Sequence, residues 1–215
     1  MTFSILGIIG GLLCCVGDIL FDLKGPGNKK LGTSGNIDSN WIKMADWRFA
    51  VSILFAYAGD ALVGFGIYSL AKQVEPANHI LSIVMMICGY VGIIGGFYVH
   101  TLLCVQPVIY KSIMKGGSFE LADQTLEAYY KTIIVPFFMA YFVLAVVPVC
   151  SIIAVLAGYL DVPKWCALLN SIVFTIVGVT LRKLKPDRFQ DLPGIIMPSL
   201  GLSMIGVIGV IHLAG

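Results

Sequence analysis

Charge is what this chain has least of. Only 12% of its 215 residues are Asp, Glu, Lys or Arg, against roughly 25% in a soluble domain. With 58% hydrophobic residues and a mean hydropathy of +0.92, the chain cannot cover a water-facing surface, which excludes a soluble fold. The net charge of +2 is too small to suggest a nucleic-acid partner. No Cys-x-x-Cys pair is present among the six cysteines, which argues against redox and zinc work. There is no His-Glu-x-x-His helix and no Gly-x-Ser-x-Gly elbow, so two common hydrolase signatures are missing. The basic turn from Lys24 to Lys30 lacks the Gly-Lys-Ser/Thr ending of a phosphate-binding loop. No cleavable leader is evident either. Met1-Thr2-Phe3 carries no basic start and no small-residue cleavage motif precedes Asp18, so the first apolar run is expected to stay as a helix.

What is present are long hydrophobic runs. A bilayer core needs about 20 apolar residues in a helix. Six such runs are read: Phe3–Leu23, Phe49–Ala71, Ile80–Ile109, Tyr129–Ala157, Val162–Leu181 and Ile195–Leu213. The expectation is an all-α polytopic transmembrane bundle of six spans forming one domain over 1–215. Five spans would require one of the shorter runs to lie buried without crossing. Pro107 and Pro136 are the expected break points in the two longest runs, since proline removes a backbone donor and crowds the preceding turn.

Lysine and arginine set the orientation. With six spans, one side of the membrane holds only Lys72 and Lys164, and the other holds the remaining 12 of the 14 basic residues. By the positive-inside rule the basic side is cytoplasmic. The loops 24–48, 110–128 and 182–194 are then inside and both termini outside.

Several local features have readings of their own. Trp41 and Trp47 suit an interfacial belt. Ser118 is placed to cap an amphipathic lead-in to the fourth span. Gly7 with Gly11, Gly92 with Gly96, and Gly206 with Gly209 offer narrow faces for close helix approach. The cysteines lie in or beside apolar spans and read as small buried hydrophobes.

Against this background a few ionisable residues stand out. Asp18, Asp60 and His100 lie inside apolar runs, where a charge is costly unless it faces protein or water. At about 1.5 Å per residue, Asp18 lies roughly 22 Å from the outer boundary and Asp60 roughly 16 Å from the inner one. Asp22 follows Asp18 by one turn on the same face. Gln106 and Tyr110 continue beyond His100 toward the cytoplasm. These six residues are the candidate ligand-binding set, with Asp18 and Asp60 as acceptors or cation holders, His100 as donor or pH-sensitive partner, and Gln106 and Tyr110 at the mouth.

Four readings fit them. The groups can pair with one another, with Arg48, or with Ser, Thr and Tyr hydroxyls, and hold the bundle in register. They can line a cytoplasm-facing cavity for a small ligand or lipid. Asp60 and His100 can relay protons or hold a cation in a small transporter. Two carboxylates and a histidine can also ligate a metal or do acid–base chemistry on a lipid. The second is the functional expectation, with membrane lipids as partners and no cofactor or resident metal; whether the chain is an enzyme stays open.

The segments Gly17-Asp18-Ile19-Leu20-Phe21-Asp22, Ser39-Asn40-Trp41, Met44, Trp47-Arg48 and Gly95-Gly96-Phe97-Tyr98-Val99-His100 resemble those of small bacterial multi-pass membrane proteins of unknown function. The resemblance covers most of the chain. It implies a bacterial cytoplasmic membrane and brings no activity, ligand or catalytic residue.

Overall fold

A computed structural model describes residues 1–215, with the side chains of all but Asp187 and Ile195. The fold is all-α apart from one small hairpin. Its main helices are α1 (Thr2–Asp22), α2 (Trp47–Val74), α3 (His79–Met114), α4 (Phe119–Leu156), α5 (Ser171–Leu184) and α8 (Met197–Ala214); the single-turn helices α6 (Pro186–Phe189) and α7 (Leu192–Ile195) join α5 to α8. Five helical stretches are long and apolar enough to cross a membrane: α1, α2, α3, α4 and the α7–α8 run Leu192–Ala214.

The expected fifth span, Val162–Leu181, is not one helix. A 3-10 turn occupies Lys164–Leu168, and α5 has only 14 residues. The cause is local chemistry. Pro163 precedes the 3-10 turn, and Asn170 leaves helical geometry so that its side chain accepts from the backbone N–H groups of Ile172 and Val173. At about 1.5 Å per residue, α5 reaches roughly 21 Å, short of a hydrocarbon core of about 30 Å.

Glycine sets how the helices meet. A Cβ built on Gly7 would stand 2.5 Å from the Gly66 Cα, and one on Gly11 would stand 2.4 Å from the Ser203 Cβ. Thus α1 lies between α2 and α8 at backbone distance, which suits helices associating without a hydrophobic drive. Neighbours run antiparallel. Ser4 near the start of α1 bonds Ser69 near the end of α2 at 2.8 Å, while Gly17 near its end accepts from Ser52 near the start of α2. The same holds for α8: Ser199 at its start reaches Asp18, and Gly209 near its end meets Ser4. Helix α4 returns along α3, with Gly92 against Leu144 and Tyr129 Oη donating to the Leu102 carbonyl at 3.0 Å.

The second expected glycine pair changes partner. Gly92 and Gly95 meet α4, while Gly96 faces open space, because residues three apart share a helix face as well as those four apart. Nor do the prolines break their helices. Pro107 lies within a continuous α3, and Pro136 and Pro148 within α4.

Two apolar cores result. One, around Leu70, Met85, Val147, Ala154 and Ile205, fills the end where α2 meets α3. The other, around Phe21, Ile37, Trp41, Phe49, Tyr110 and Leu126, fills the basic end. There the segment 24–46 folds back under the bundle as β1 (Lys30–Leu31), β2 (Ile37–Asp38) and a 3-10 turn over Ser39–Lys43. Trp41 is therefore buried in that core and not in an interfacial belt, whereas Trp47 is 59% exposed. Asp123 on α4 pins the hairpin tip by accepting from Thr33 N and Oγ1. Ser118 caps α4 by accepting from Leu121 N at 3.2 Å, and its amphipathic lead-in is simply the first turns of α4. Arg48 donates to the carbonyls of Ile19, Leu20 and Leu23. It thereby serves the last carbonyls of α1, of which that of Ile19 also accepts from Leu23 N.

Candidate functional site

Asp18 and His100 come together where α1, α2, α3 and α8 meet. Asp18 Oδ2 accepts from Ser199 Oγ at 2.5 Å, and Oδ1 lies 3.5 Å from His100 Nδ1. On the other ring nitrogen, His100 Nε2 is 2.8 Å from Ser52 Oγ. Ser52 in turn donates to the Gly17 carbonyl at 2.7 Å and accepts from Cys104 Sγ at 3.5 Å. Phe21 covers the imidazole edge-on at 5.8 Å between centroids.

The hydrogen-bond inventory assigns protons within this group. Ser52 has one proton, given to Gly17, and two lone pairs. Its remaining lone pair therefore takes a proton from His100 Nε2, which fixes the Nε2–H tautomer. His100 Nδ1 is then left facing Asp18 Oδ1 at 3.5 Å, an ion pair when the imidazole is protonated. The sequence of carboxylate, imidazole and hydroxyl matches a nucleophilic triad. Ser52, however, is fully buried and directs its proton to a backbone carbonyl, an arrangement that joins three helices and gives a substrate no approach.

Asp22, one turn beyond Asp18, belongs to a second polar group at the basic end. A cavity of about 170 Å³ is lined there by Asp22, Lys24, Lys30, Asp38, Arg182 and Asp191, together with Asn28, Gln190 and Gly194. Four separate stretches of chain contribute: the end of α1, the hairpin, the end of α5 and the α6–α7 link. Lys24 is its centre. Its side chain is 8% exposed, with Nζ 2.6 Å from Asp22 Oδ1 and 3.6 Å from Asp38 Oδ2. Its backbone N–H donates to Asp191 Oδ2 at 3.0 Å. Burial lowers the pKa of the Lys24 ammonium, but the carboxylates of Asp22 and Asp38 outweigh it and hold the group above its ordinary value. Asp38 also accepts from Asn28 at 2.6 Å and pairs with Lys30 at 3.0 Å.

Asp60 does not join the Asp18–His100 pair. Its Oδ1 accepts from Cys14 Sγ at 3.5 Å, and Cys14 lies one turn before Asp18 on α1. Asp60 lines a different space, a groove of about 250 Å³ between α2 and α3. Gln106 and Tyr110 line neither cavity. Both are buried in the second core, where the Tyr110 ring meets Trp41 edge-on at 6.1 Å. Gln106 Nε2 and Trp41 Nε1 lack hydrogen-bond partners among the described residues. No group of three His, Cys, Asp or Glu side chains that could hold a metal ion occurs among the described residues.

Sequence reasoning allowed for serine hydroxyls as partners but did not single out Ser52, Ser199 or Cys14, which connect the ionisable groups. The available signal was their small polar side chains at matching depth in apolar runs, the type that bridges helices in lipid. It also missed the Lys24–Asp38 cluster, which carries no spacing pattern because its members come from distant segments.

The chain belongs to a family of unknown function (DUF6796), whose profile matches residues 1–214. No curated protein and no solved structure matches it.

Proposed function

From a family of unknown function no activity carries over, and we propose, from the chain's own geometry, a multi-pass protein of a bacterial cytoplasmic membrane whose polar interior binds a small ligand or lipid headgroup from the cytoplasmic face. The bacterial membrane rests on the sequence resemblance alone. The binding reading rests on one observation: the 170 Å³ cavity holds three carboxylates and three cations at the basic end, and Asp22 on its wall stands one turn from the Asp18–His100 pair. Walls bearing both signs suit a ligand bearing both signs, such as the phosphoethanolamine unit of a lipid or its free form.

The chain crosses six times in this reading, with both termini outside. Helix α4 carries it away from the basic end and α8 begins back at that end, so residues 157–191 make the return. The stretch before Asn170 supplies the first part of the crossing and α5 the second, with Ser171 backbone set against Gly201 in α8.

Titration calorimetry of the detergent-purified protein with phosphoethanolamine, ethanolamine and inorganic phosphate tests the reading, with phosphatidylethanolamine nanodiscs distinguishing lipid from free headgroup. Phosphoethanolamine is expected to bind at least tenfold tighter than either half, and Arg182→Gln to weaken it. Equal binding of all three probes, or none, sinks the reading.

A second reading has its own observation. Asp22, the Asp18–His100 pair and the Cys14–Asp60 pair follow one another from the basic end to the middle of α2, as in a proton- or cation-coupled transporter. It requires coupled flux in proteoliposomes that Asp60→Asn abolishes; absence of flux under proton and sodium gradients removes it.

A further inference from the structure

Asp60 is a carboxylate near the middle of α2 whose one hydrogen bond among the described residues comes from a thiol, a weak donor. Asp60 also lines the groove between α2 and α3. The walls of that groove are aromatic and aliphatic. Tyr57 and Phe97 meet edge-on at 5.5 Å, Tyr90 stands on the opposite rim, and Ile93 and Gly64 line the space between. Tyr57 and Tyr90 are 65% and 72% exposed. At the middle of an apolar helix that exposure is to the bilayer, so the groove opens sideways into lipid.

The chemistry selects the occupant. A carboxylate in hydrocarbon calls for a cation, and aromatic faces attract ammonium groups further, more strongly when desolvated. Among the described residues no lysine or arginine lines the groove, so the cation comes from outside. Because the opening faces lipid, it must arrive on an apolar carrier. We propose that Asp60 and this groove bind the ammonium head of a lipid-soluble amine entering from the bilayer. The site is separate from the charged cavity at the basic end and does not rest on the function proposed for it.

Labelling of Asp60 by dicyclohexylcarbodiimide, a bilayer-soluble carboxyl reagent, tests the site in proteoliposomes, with the adduct located by peptide mass spectrometry. Dodecyltrimethylammonium is expected to slow labelling at least tenfold, while dodecanol and dodecyl phosphate leave the rate unchanged. Gly64→Leu then discriminates further. A Cβ at Gly64 meets only Ile93 Cδ1 among the described residues, at 3.5 Å, so the backbone there has room for a side chain that narrows the groove. It is expected to remove protection by the amine, and Tyr57→Leu with Tyr90→Leu to weaken protection severalfold. Absence of labelling at Asp60 overturns the proposal, as does equal protection by dodecanol, or amine protection that Gly64→Leu leaves intact.

Discussion

His100 faces Asp18 with one ring nitrogen, 3.5 Å from the carboxylate, and Ser52 with the other, at 2.8 Å. One imidazole thus joins α3 to both α1 and α2, and Ser199 joins α8 to the same carboxylate. A buried network of this kind specifies how four helices meet, because each member left unpaired would cost more than its bond contributes. Asp60 lies outside it. The distinction separates two groups of side chains that depth alone would merge.

A double-mutant cycle makes that distinction measurable. Asp18→Asn and His100→Gln are expected to couple by about 0.6–1.7 kcal/mol, the range for polar contacts between membrane helices. Asp60→Asn and His100→Gln, which share no contact, are expected to add within about 0.5 kcal/mol. Unfolding of the micellar protein by sodium dodecyl sulfate reads both. Equal coupling in the two cycles would contradict the network.

Backbone approach gives a second prediction. A Cβ at Gly66 would stand 2.7 Å from the Gly7 Cα, and neither backbone can move aside without shifting its helix. Gly66→Ala should cost about 1–3 kcal/mol through overpacking. Gly96→Ala is the control: nothing lies within 4 Å of its Cβ position, so alanine should be neutral or stabilising by up to about 1 kcal/mol. The same unfolding assay compares them.

Position along the helices was legible in the sequence; rotation was not. Counting residues along α1 and α3 put Asp18 and His100 in one half of the bilayer, and they do meet. The same count put Asp60 with them. Yet Asp60 follows Ser52, the residue that touches His100, by eight positions, which turns its side chain about 80° around the helix axis. Asp60 therefore faces the groove beside α3. Hydropathy likewise found the run 162–181, but a window average cannot register that Pro163 and Asn170 stop a helix there. Trp41 was misread for a related reason. Its composition suits an interface, and only the tertiary fold of residues 24–46 buries it.

Lys24 gives a pH dependence of known sign. Its folded pKa lies above the ordinary value, so the stability it contributes is complete below the unfolded lysine pKa of about 10.4. It is lost as pH rises through the higher folded value. The wild-type unfolding midpoint should hold from pH 7 to about 10 on this account and then fall. Lys24→Met leaves Asp22 and Asp38 without the central cation, so it should be less stable at pH 7. The gap between the two proteins should close at the alkaline end. A gap that stays constant to pH 12 would show that the ammonium charge contributes nothing.

The crossing proposed between α4 and α8 can be tested from outside the cell. The antiparallel seating of α8 on α1 through Ser199–Asp18 and Gly209–Ser4 gives it a direction, and counting six spans then collects 12 of the 14 basic residues on one side. Single cysteines at exposed positions separate the sides, with wild type as the blank because five of its six free thiols are buried and Cys88 is half-buried. A membrane-impermeant maleimide should label Ala77→Cys and Ala157→Cys in intact cells. Lys43→Cys and Lys185→Cys should react only after permeabilisation. The decisive pair is 157 and 185, which bracket the 14-residue α5. If both react from outside, residues 157–185 dip into the membrane and return, and α8 cannot then begin beside an Asp22 that faces the cytoplasm as proposed. Opposite accessibility at 157 and 185 requires the short helix and the stretch before it to make a full crossing together.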